Sequence, residues 1–471
     1  MKVLFVEPLC RSKYPPVGLM KIATSHRLAG DDVFFVRGTK SNVRALGWDR
    51  IYITTLFTYH WKKAVETIRF YQRDGAPVLV GGILATLMPD ELHAATGVEP
   101  HVGPYRGEAM LLERLVCHDK DLVSIVDYVR KWGVDALPPD YGLIGSANVP
   151  YRTMLDSSYI VRSTRGCTRH CPFCAVDRIA PEFLPAIPLT QIVRYIASRW
   201  GERCNLLLLD DNFLLSPEKE GIVDEIRSLG FAPGARLAGK LRHVDFNQGL
   251  DVRLLTRHNL EVLSSIALSP LRLAFDDLAL GDIIEERLQW AVEVGFREIS
   301  VYVLYNYMDS PIDLYRRLRR ISNLNLRFRC RIYSFPMKYI PNDAKDRQHI
   351  GPRWTRRQIR TVQCILSACH GIVPTQPEFF RVAFGRSTRE FLAILQMPEN
   401  YVISRSAHMQ NGAIRQWQES FNSLTPLERR YAKRLISGGK GSISSLNSPS
   451  SIDGFLGHYR EESNGRSPLP I

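Results

Sequence analysis

Apolar runs and the breaks between them define the elements of this chain. Residues 2 to 6, Lys-Val-Leu-Phe-Val, form a short apolar run ended by Glu7-Pro8, and a helical spacing then passes through Leu19, Ile22, Ala23 and Leu28 to Gly30. Val33 to Val36, Ile51 to Leu56 and Val78 to Val80 read as further buried strands, with a helix from Trp61 to Arg73 between the last two. This alternation predicts an open parallel sheet with helices on both faces, a Rossmann-like domain over residues 1–115. Residues 116–158 have weaker periodicity and contain Pro138-Pro139 and Pro150, which marks a connector.

From Tyr159 the pattern resumes. Strand-like runs recur at Ile160 to Ser163, Asn205 to Leu209, Val244 to Asn247, Leu271 to Phe275, Ile299 to Leu304 and Arg327 to Ser334. Helical stretches separate them, among them Thr190 to Trp200, Glu218 to Leu229 and Asp282 to Val294. Six β/α units over residues 159–335 fit a partial or complete barrel of the TIM type, whose chemistry lies at the C-terminal strand ends. Residues 336–435 read as a basic, mostly helical region. Residues 436–471 contain SGGKGSISSLNSPSS and are expected to be disordered. The fold class is therefore α/β, and no repeat of fixed period is present.

A length of 471 residues suggests about three domains, and 45% hydrophobic with 23% charged residues excludes global disorder. The longest apolar candidate, Ala76 to Pro89, holds two glycines and ends in proline, so no membrane span is expected. The start meets Glu7 and Pro8 before a signal-peptide core could form, which points to a cytoplasmic protein. Nine cysteines, an odd number in a long chain, argue against a disulfide framework and leave metal binding or catalysis for any cluster.

One cluster exists. Arg165-Gly166-Cys167-Thr168-Arg169-His170-Cys171-Pro172-Phe173-Cys174 places three thiols in eight residues, spaced C-x3-C-x2-C. Structural zinc usually takes two pairs and four closed ligands, and no second C-x2-C occurs. Cys364 and Cys369 are spaced for a helix. Three thiolates from one loop suit a [4Fe-4S] cluster whose fourth iron is left open.

These residues resemble the radical S-adenosylmethionine (SAM) enzymes, whose signature is a C-x3-C-x2-C loop with an aromatic residue before the last cysteine, here Phe173. The resemblance implies that Cys167, Cys171 and Cys174 ligate the cluster, and that SAM binds its unique iron and is cleaved reductively to start radical chemistry. It also implies an electron donor such as flavodoxin or ferredoxin. Ahead of the loop stand Pro15-Pro16-Val17-Gly18-Leu19-Met20, Val80-Gly81-Gly82 and Tyr105-Arg106-Gly107-Glu108-Ala109. In that order they look like the cobalamin (B12)-binding-type domain fused before the radical barrel in one group of the superfamily. With the barrel, the resemblance covers about residues 1–335. Gly81 and Gly82 are then the candidate cobalamin contacts. The chain departs from the cobalamin pattern in lacking D-x-H-x-x-G; His60, near a strand end, is a candidate ligand whose alternative is a surface or capped histidine.

The barrel strand ends carry polar residues. Asp210-Asp211-Asn212 follows one strand and resembles the family's acidic strand end, facing cofactor or substrate; capping and turn formation are the alternatives. Arg253, after the next strand, could pair with the SAM carboxylate or form a structural salt bridge. Asp276-Asp277 and Asn306 end later strands, and Asn306 joins the SAM candidates.

The charge is uneven. With 62 basic and 48 acidic residues the chain carries +14, and residues 311–360 contain fourteen Lys and Arg against three Asp. Interleaved aromatics such as Tyr315, Tyr333 and Trp354 would permit base stacking, so a nucleic-acid substrate is one expectation, and a solvated helix face at Arg316 to Arg320 is the other. The main functional reading is a radical SAM enzyme, with methyl transfer as its reaction if cobalamin binds. The alternative is a non-enzymatic, metal-stabilised nucleic-acid-binding protein.

Overall fold

The first four strands are β1 (Lys2–Glu7), β2 (Asp32–Arg37), β3 (Arg50–Thr55) and β4 (Val78–Gly82), and they pair in the order β2-β1-β3-β4. Every pairing is parallel, with Val3 opposite both Val33 and Arg50, and Ile51 opposite Val78. The apolar runs read as strands because the sheet is covered on both faces. Leu4, Val6, Ile51, Ile53 and Val80 meet Ala64, Val65, Ile68 and Tyr71 of the helix Trp61–Tyr71 on one side. On the other, Phe5 stacks on Tyr52 at 5.3 Å and both contact His26 of the helix Val17–Leu28. The chain leaves β1 toward β2 on one side and returns to β3 on the other, so β1 and β3 flank the switch point where such sheets bind ligands.

The structure is a computed structural model and describes residues 1–10, 12–107, 109–145, 147–437 and 450–463. The stretch expected to be a connector is packed. Leu122, Ile125, Val129 and Leu137 are buried, the Asp140 N–H donates to the Met20 carbonyl at 2.9 Å, and Thr24 Oγ1 donates to the Pro138 carbonyl at 2.7 Å. Its periodicity is weak because short helices such as Val126–Trp132 alternate with 3-10 turns, but its apolar side chains close over the helix Val17–Leu28.

Downstream, β5 (Ser158–Val161), β6 (Asn205–Leu208), the short antiparallel hairpin β7 (Arg236–Leu237) and β8 (Lys240–Leu241), and β9 (His243–Phe246) follow. A parallel sheet runs β5-β6-β9. A second three-stranded sheet comprises β10 (Leu271–Ala274), β11 (Glu298–Tyr305) and β12 (Arg331–Lys338). The last strand begins later than the apolar pattern suggested, because the helix Pro311–Phe328 continues to its left-handed cap at Arg329, φ 50°. The chain is thus a mixed α/β protein built on parallel sheets.

Contacts divide it into two compact units, residues 1–272 with 293–296 and 341–347, and residues 273–292 with 297–340 and 348–471. The expected 159–335 barrel domain is cut by this division. In the second unit, Arg317 is fully buried and donates to the carbonyls of Phe275, Asp276 and Leu304, while its other nitrogen meets Asp309 at 2.8 Å. Helices follow to residue 437. The tail expected to be disordered contains the helix Ser450–Ser463, in which Ile452, Phe455, Leu456 and Tyr459 are buried, and Tyr459 accepts the Trp417 indole N–H at 3.0 Å. That apolar spacing of three and four gives the helix a buried face despite the serine-rich stretch before it. Residues 438–449 and 464–471 lie outside the described residues, as does Glu108 of the Tyr105–Ala109 motif.

Candidate functional site

The three cysteines sit on the loop that leaves the C-terminal end of β5, all of them free and partly exposed. A turn through Pro172 and Phe173 brings the Cys174 N–H to the Cys171 carbonyl at 2.9 Å, which sets the spacing of the last two thiols; Phe173 is half-buried there. The Arg169 N–H approaches the Cys167 sulfur at 3.4 Å. Backbone pairing of Arg165 with Leu184 in both directions, 3.1 and 2.7 Å, anchors the loop's start. Gly166 has φ +85°, and a Cβ there would stand 2.5 Å from the Glu182 carbonyl oxygen, so glycine is needed where the loop turns toward Cys167.

Two carboxylates at the end of β6 hold this loop. Asp210 is buried and accepts from both Ser163 and Thr164: from their hydroxyls at 2.6 and 2.7 Å, and from the Thr164 N–H at 2.6 Å. Burial pushes its carboxyl above the usual range, against the lowering effect of those hydrogen bonds. Asp211 accepts from the Gly166 N–H at 2.9 Å and from Arg162 at 3.0 Å. Both residues therefore tie β6 to the loop, the role that turn chemistry alone would not have specified.

Asn212 faces the thiols. Its Nδ2 donates to the Cys167 sulfur at 3.4 Å, and its Oδ1 is buried with no hydrogen-bond partner among the described residues. Arg253 is brought to the same place, with a guanidinium nitrogen 3.9 Å from the Cys171 sulfur. Its other contacts are with Asp251, at 2.7 and 2.9 Å, and Arg169 also meets Asp251 at 2.8 Å. The salt bridge foreseen as the alternative for Arg253 is formed. Sequence reasoning did not single out Asp251; its place two residues before Arg253 was the available signal.

Cys174 is held above its ordinary thiol range, first by burial and then by the neighbouring Cys171 and Cys167 sulfurs. Among the described residues no three His, Cys, Asp or Glu side chains are grouped to hold a single metal ion. A four-iron cluster takes one thiolate per iron.

The remaining sequence candidates lie elsewhere. Asn306 belongs to the second unit, with φ +71°; its Nδ2 donates to the Tyr339 and His349 carbonyls and its Oδ1 accepts the Gly351 N–H at 2.7 Å. Asp277 caps a short 3-10 turn through the Ala279 N–H, and Asp276 accepts the Leu304 N–H at 3.3 Å. Of the four arginines in the RRLRR run, Arg317 is buried, Arg320 is paired with Asp282 and Glu285, Arg319 donates to the Tyr315 hydroxyl at 2.8 Å, and Arg316 is exposed.

In the first unit, a cavity of about 200 Å3 lies against the faces of β3 and β4, with Tyr52, Leu79, Gly81 and Gly82 in its wall. Gly81 has room there, its nearest neighbour to an added Cβ being His101 at 3.9 Å. Gly82, at φ +106°, does not: a Cβ would collide with the Thr55 carbonyl and stand 2.9 Å from the Thr55 nitrogen, so its glycine serves the approach of β3. His60 is half-buried beside a separate recess of about 60 Å3 with Glu7 and Cys10, and its Nδ1 is buried without a hydrogen-bond partner among the described residues. Among the described residues no helix is long and apolar enough to cross a membrane.

No protein-family model matches the chain, and no curated protein matches its sequence. Among solved structures, the radical S-adenosylmethionine methyltransferase TsrM from Kitasatospora setae, with tryptophan substrate and the SAM analogue aza-SAM bound, aligns with 77% of this chain and 76% of its own at 14% identity, TM-score 0.49. Streptococcus suis SuiB, bound to precursor peptide SuiA, aligns with 48% of this chain and 53% of its own at 13% identity, TM-score 0.32. Similarity of this depth assigns no activity, and the functional reading rests on the side chains of the cysteine loop.

Proposed function

We propose that the chain is a radical SAM enzyme in which Cys167, Cys171 and Cys174 hold a [4Fe-4S] cluster. The observation that carries this is the set of three free thiols on one pinned loop at a strand's C-terminal end, with N–H donors from Asn212 and Arg253 aimed at two of the sulfurs. When bound, a reduced cluster supplies the electron that cleaves SAM to methionine and a 5'-deoxyadenosyl radical.

The chain's own residues do the positioning. Donors to the sulfurs stabilise thiolate charge and tune a cluster's potential. The orphaned Oδ1 of Asn212 is an acceptor suited to the ammonium of SAM, since a buried acceptor left unpaired is costly. Asp251 holds the Arg253 guanidinium beside Cys171, and that held cation suits the SAM carboxylate. Asp210 and Asp211 fix the loop so that these groups keep their spacing.

Cobalamin, where it binds, supplies a methyl carrier. The residues that would touch it line the cavity on β3 and β4, which has room for part of such a group only: Gly81 would allow close approach and Tyr52 and Tyr105 would offer aromatic walls; methyl transfer is then the reaction class.

Anaerobic reconstitution with iron and sulfide tests the reading. The parent should take up about four of each per chain and, with dithionite, release 5'-deoxyadenosine from SAM. Cys171→Ala should do neither, while Cys204→Ala behaves as the parent. One equivalent of zinc with no iron uptake would assign the loop to a structural metal.

A further inference from the structure

Lys21 lies on the helix Val17–Leu28 where that helix borders the cavity on β3 and β4, and it is 4% exposed. A lysine is almost never buried without a paired charge. Among the described residues the Lys21 Nζ has one hydrogen bond, to the Asp135 carbonyl at 2.5 Å. The Asp135 carboxylate does not balance it, because that group is in contact with Arg165, which lines the same cavity. Lys21, Arg165, the Asp135 carboxylate and the His101 imidazole thus line a cavity whose other walls include the apolar Leu19, Ile22 and Leu79 and the aromatic Tyr52 and Tyr105.

We infer that this cavity binds an organic anion, its carboxylate or phosphate paired with Lys21 and Arg165 and its apolar or aromatic body lying between Leu79 and Tyr105. This deepens the reading of the first sheet as a ligand domain by naming the ligand's chemistry. An anion supplies the missing charge, and the aromatic wall supplies stacking. The state of the lysine agrees: burial, with repulsion from Arg162 and Arg165, pushes Lys21 down to about 7, so a bound anion would restore its proton near neutral pH. Two sources share this chemistry, a free carboxylate substrate and the phosphate in the nucleotide tail of a corrinoid.

The test uses two fluorescent probes of similar body, 8-anilinonaphthalene-1-sulfonate, which is anionic, and N-phenyl-1-naphthylamine, which is neutral. The full-length parent should bind the anionic probe about tenfold more tightly than the neutral one. Lys21→Met should erase that preference while retaining the neutral probe, whose binding shows that the cavity is intact. Leu79→Trp, which fills the cavity, should weaken both. Equal affinities in the parent, an unchanged preference in Lys21→Met, or unchanged binding in Leu79→Trp would each overturn the assignment. If Lys21→Met does not fold, the parent's preference and Leu79→Trp still decide. Displacement by 1-naphthoate identifies a small carboxylate ligand and displacement by hydroxocobalamin alone a corrinoid phosphate; displacement by neither overturns the assignment. Iron uptake by the same preparations reports separately on the cluster, so either reading can fail without the other.

Discussion

At the scale of single residues, the groups that matter most are polar side chains whose atoms are unevenly satisfied. Asp210 spends both oxygens on Ser163 and Thr164, whereas Asn212 leaves one atom unpaired beside Cys167. These two should separate in experiment. Asp210→Asn presents an amide to donors and should lower the stability of the first unit by about 1–3 kcal/mol, seen in its thermal midpoint. Asn212→Ala should leave iron uptake near the parental level and weaken SAM binding about tenfold, measured by equilibrium dialysis; unchanged SAM binding would return Asn212 to a turn role. Lys21 gives a pH-dependent signature. Its folded value of about 7 lies below the ordinary 10.5, so between those values the unfolded chain binds more protons and stability rises with pH. The thermal midpoint of the parent should therefore gain on that of Lys21→Met from pH 7 to 10, and a constant gap across that range would show that Lys21 is not buried as described.

At the scale of elements, the strands were legible because parallel strands buried on both faces leave continuous apolar runs, as in Val3 to Val6 and Leu206 to Leu208. The glycines of the Val80-Gly81-Gly82 motif were legible only as a pair. The structure separates them: both line the cavity, but Gly82 also relieves a collision with Thr55, while Gly81 has room for a side chain. Gly81→Ala should accordingly fold with a parental midpoint, while Gly82→Ala should lose about 1–3 kcal/mol or more from strain at a positive φ. Equal midpoints would remove the distinction. The last helix escaped notice for a compositional reason: serine and glycine before it dominate the stretch, and four apolar residues, Ile452, Phe455, Leu456 and Tyr459, carry its buried face. Their spacing is helical, and counting positions instead of composition would have found them.

At the scale of the whole molecule, charge and strand ends were the weakest guides. The fourteen basic residues between 311 and 360 include a buried Arg317 that gathers carbonyls, an Arg320 held by two carboxylates and an Arg360 paired with Glu399, so part of the charge is spent on internal contacts while Arg316, Arg327, Arg331 and Arg353 stay exposed. Polar strand ends looked alike in sequence, yet their amides and carboxylates have different duties. Asn212 and Arg253, which reach the candidate thiols, and Asp210 and Asp211, which pin their loop, belong to the first unit, whereas Asn306 belongs to the second and spends its amide on Tyr339, His349 and Gly351. A left-handed backbone at Asn306 adds a reason for that residue type, since asparagine adopts positive φ more readily than most. Asn306→Ala should therefore lower the thermal midpoint of the second unit, through three lost hydrogen bonds and an unfavourable φ, while iron uptake and SAM affinity stay within about twofold of the parent. A parental midpoint together with a large loss of SAM affinity would reverse this and make Asn306 a cofactor contact, as its position after a strand had suggested.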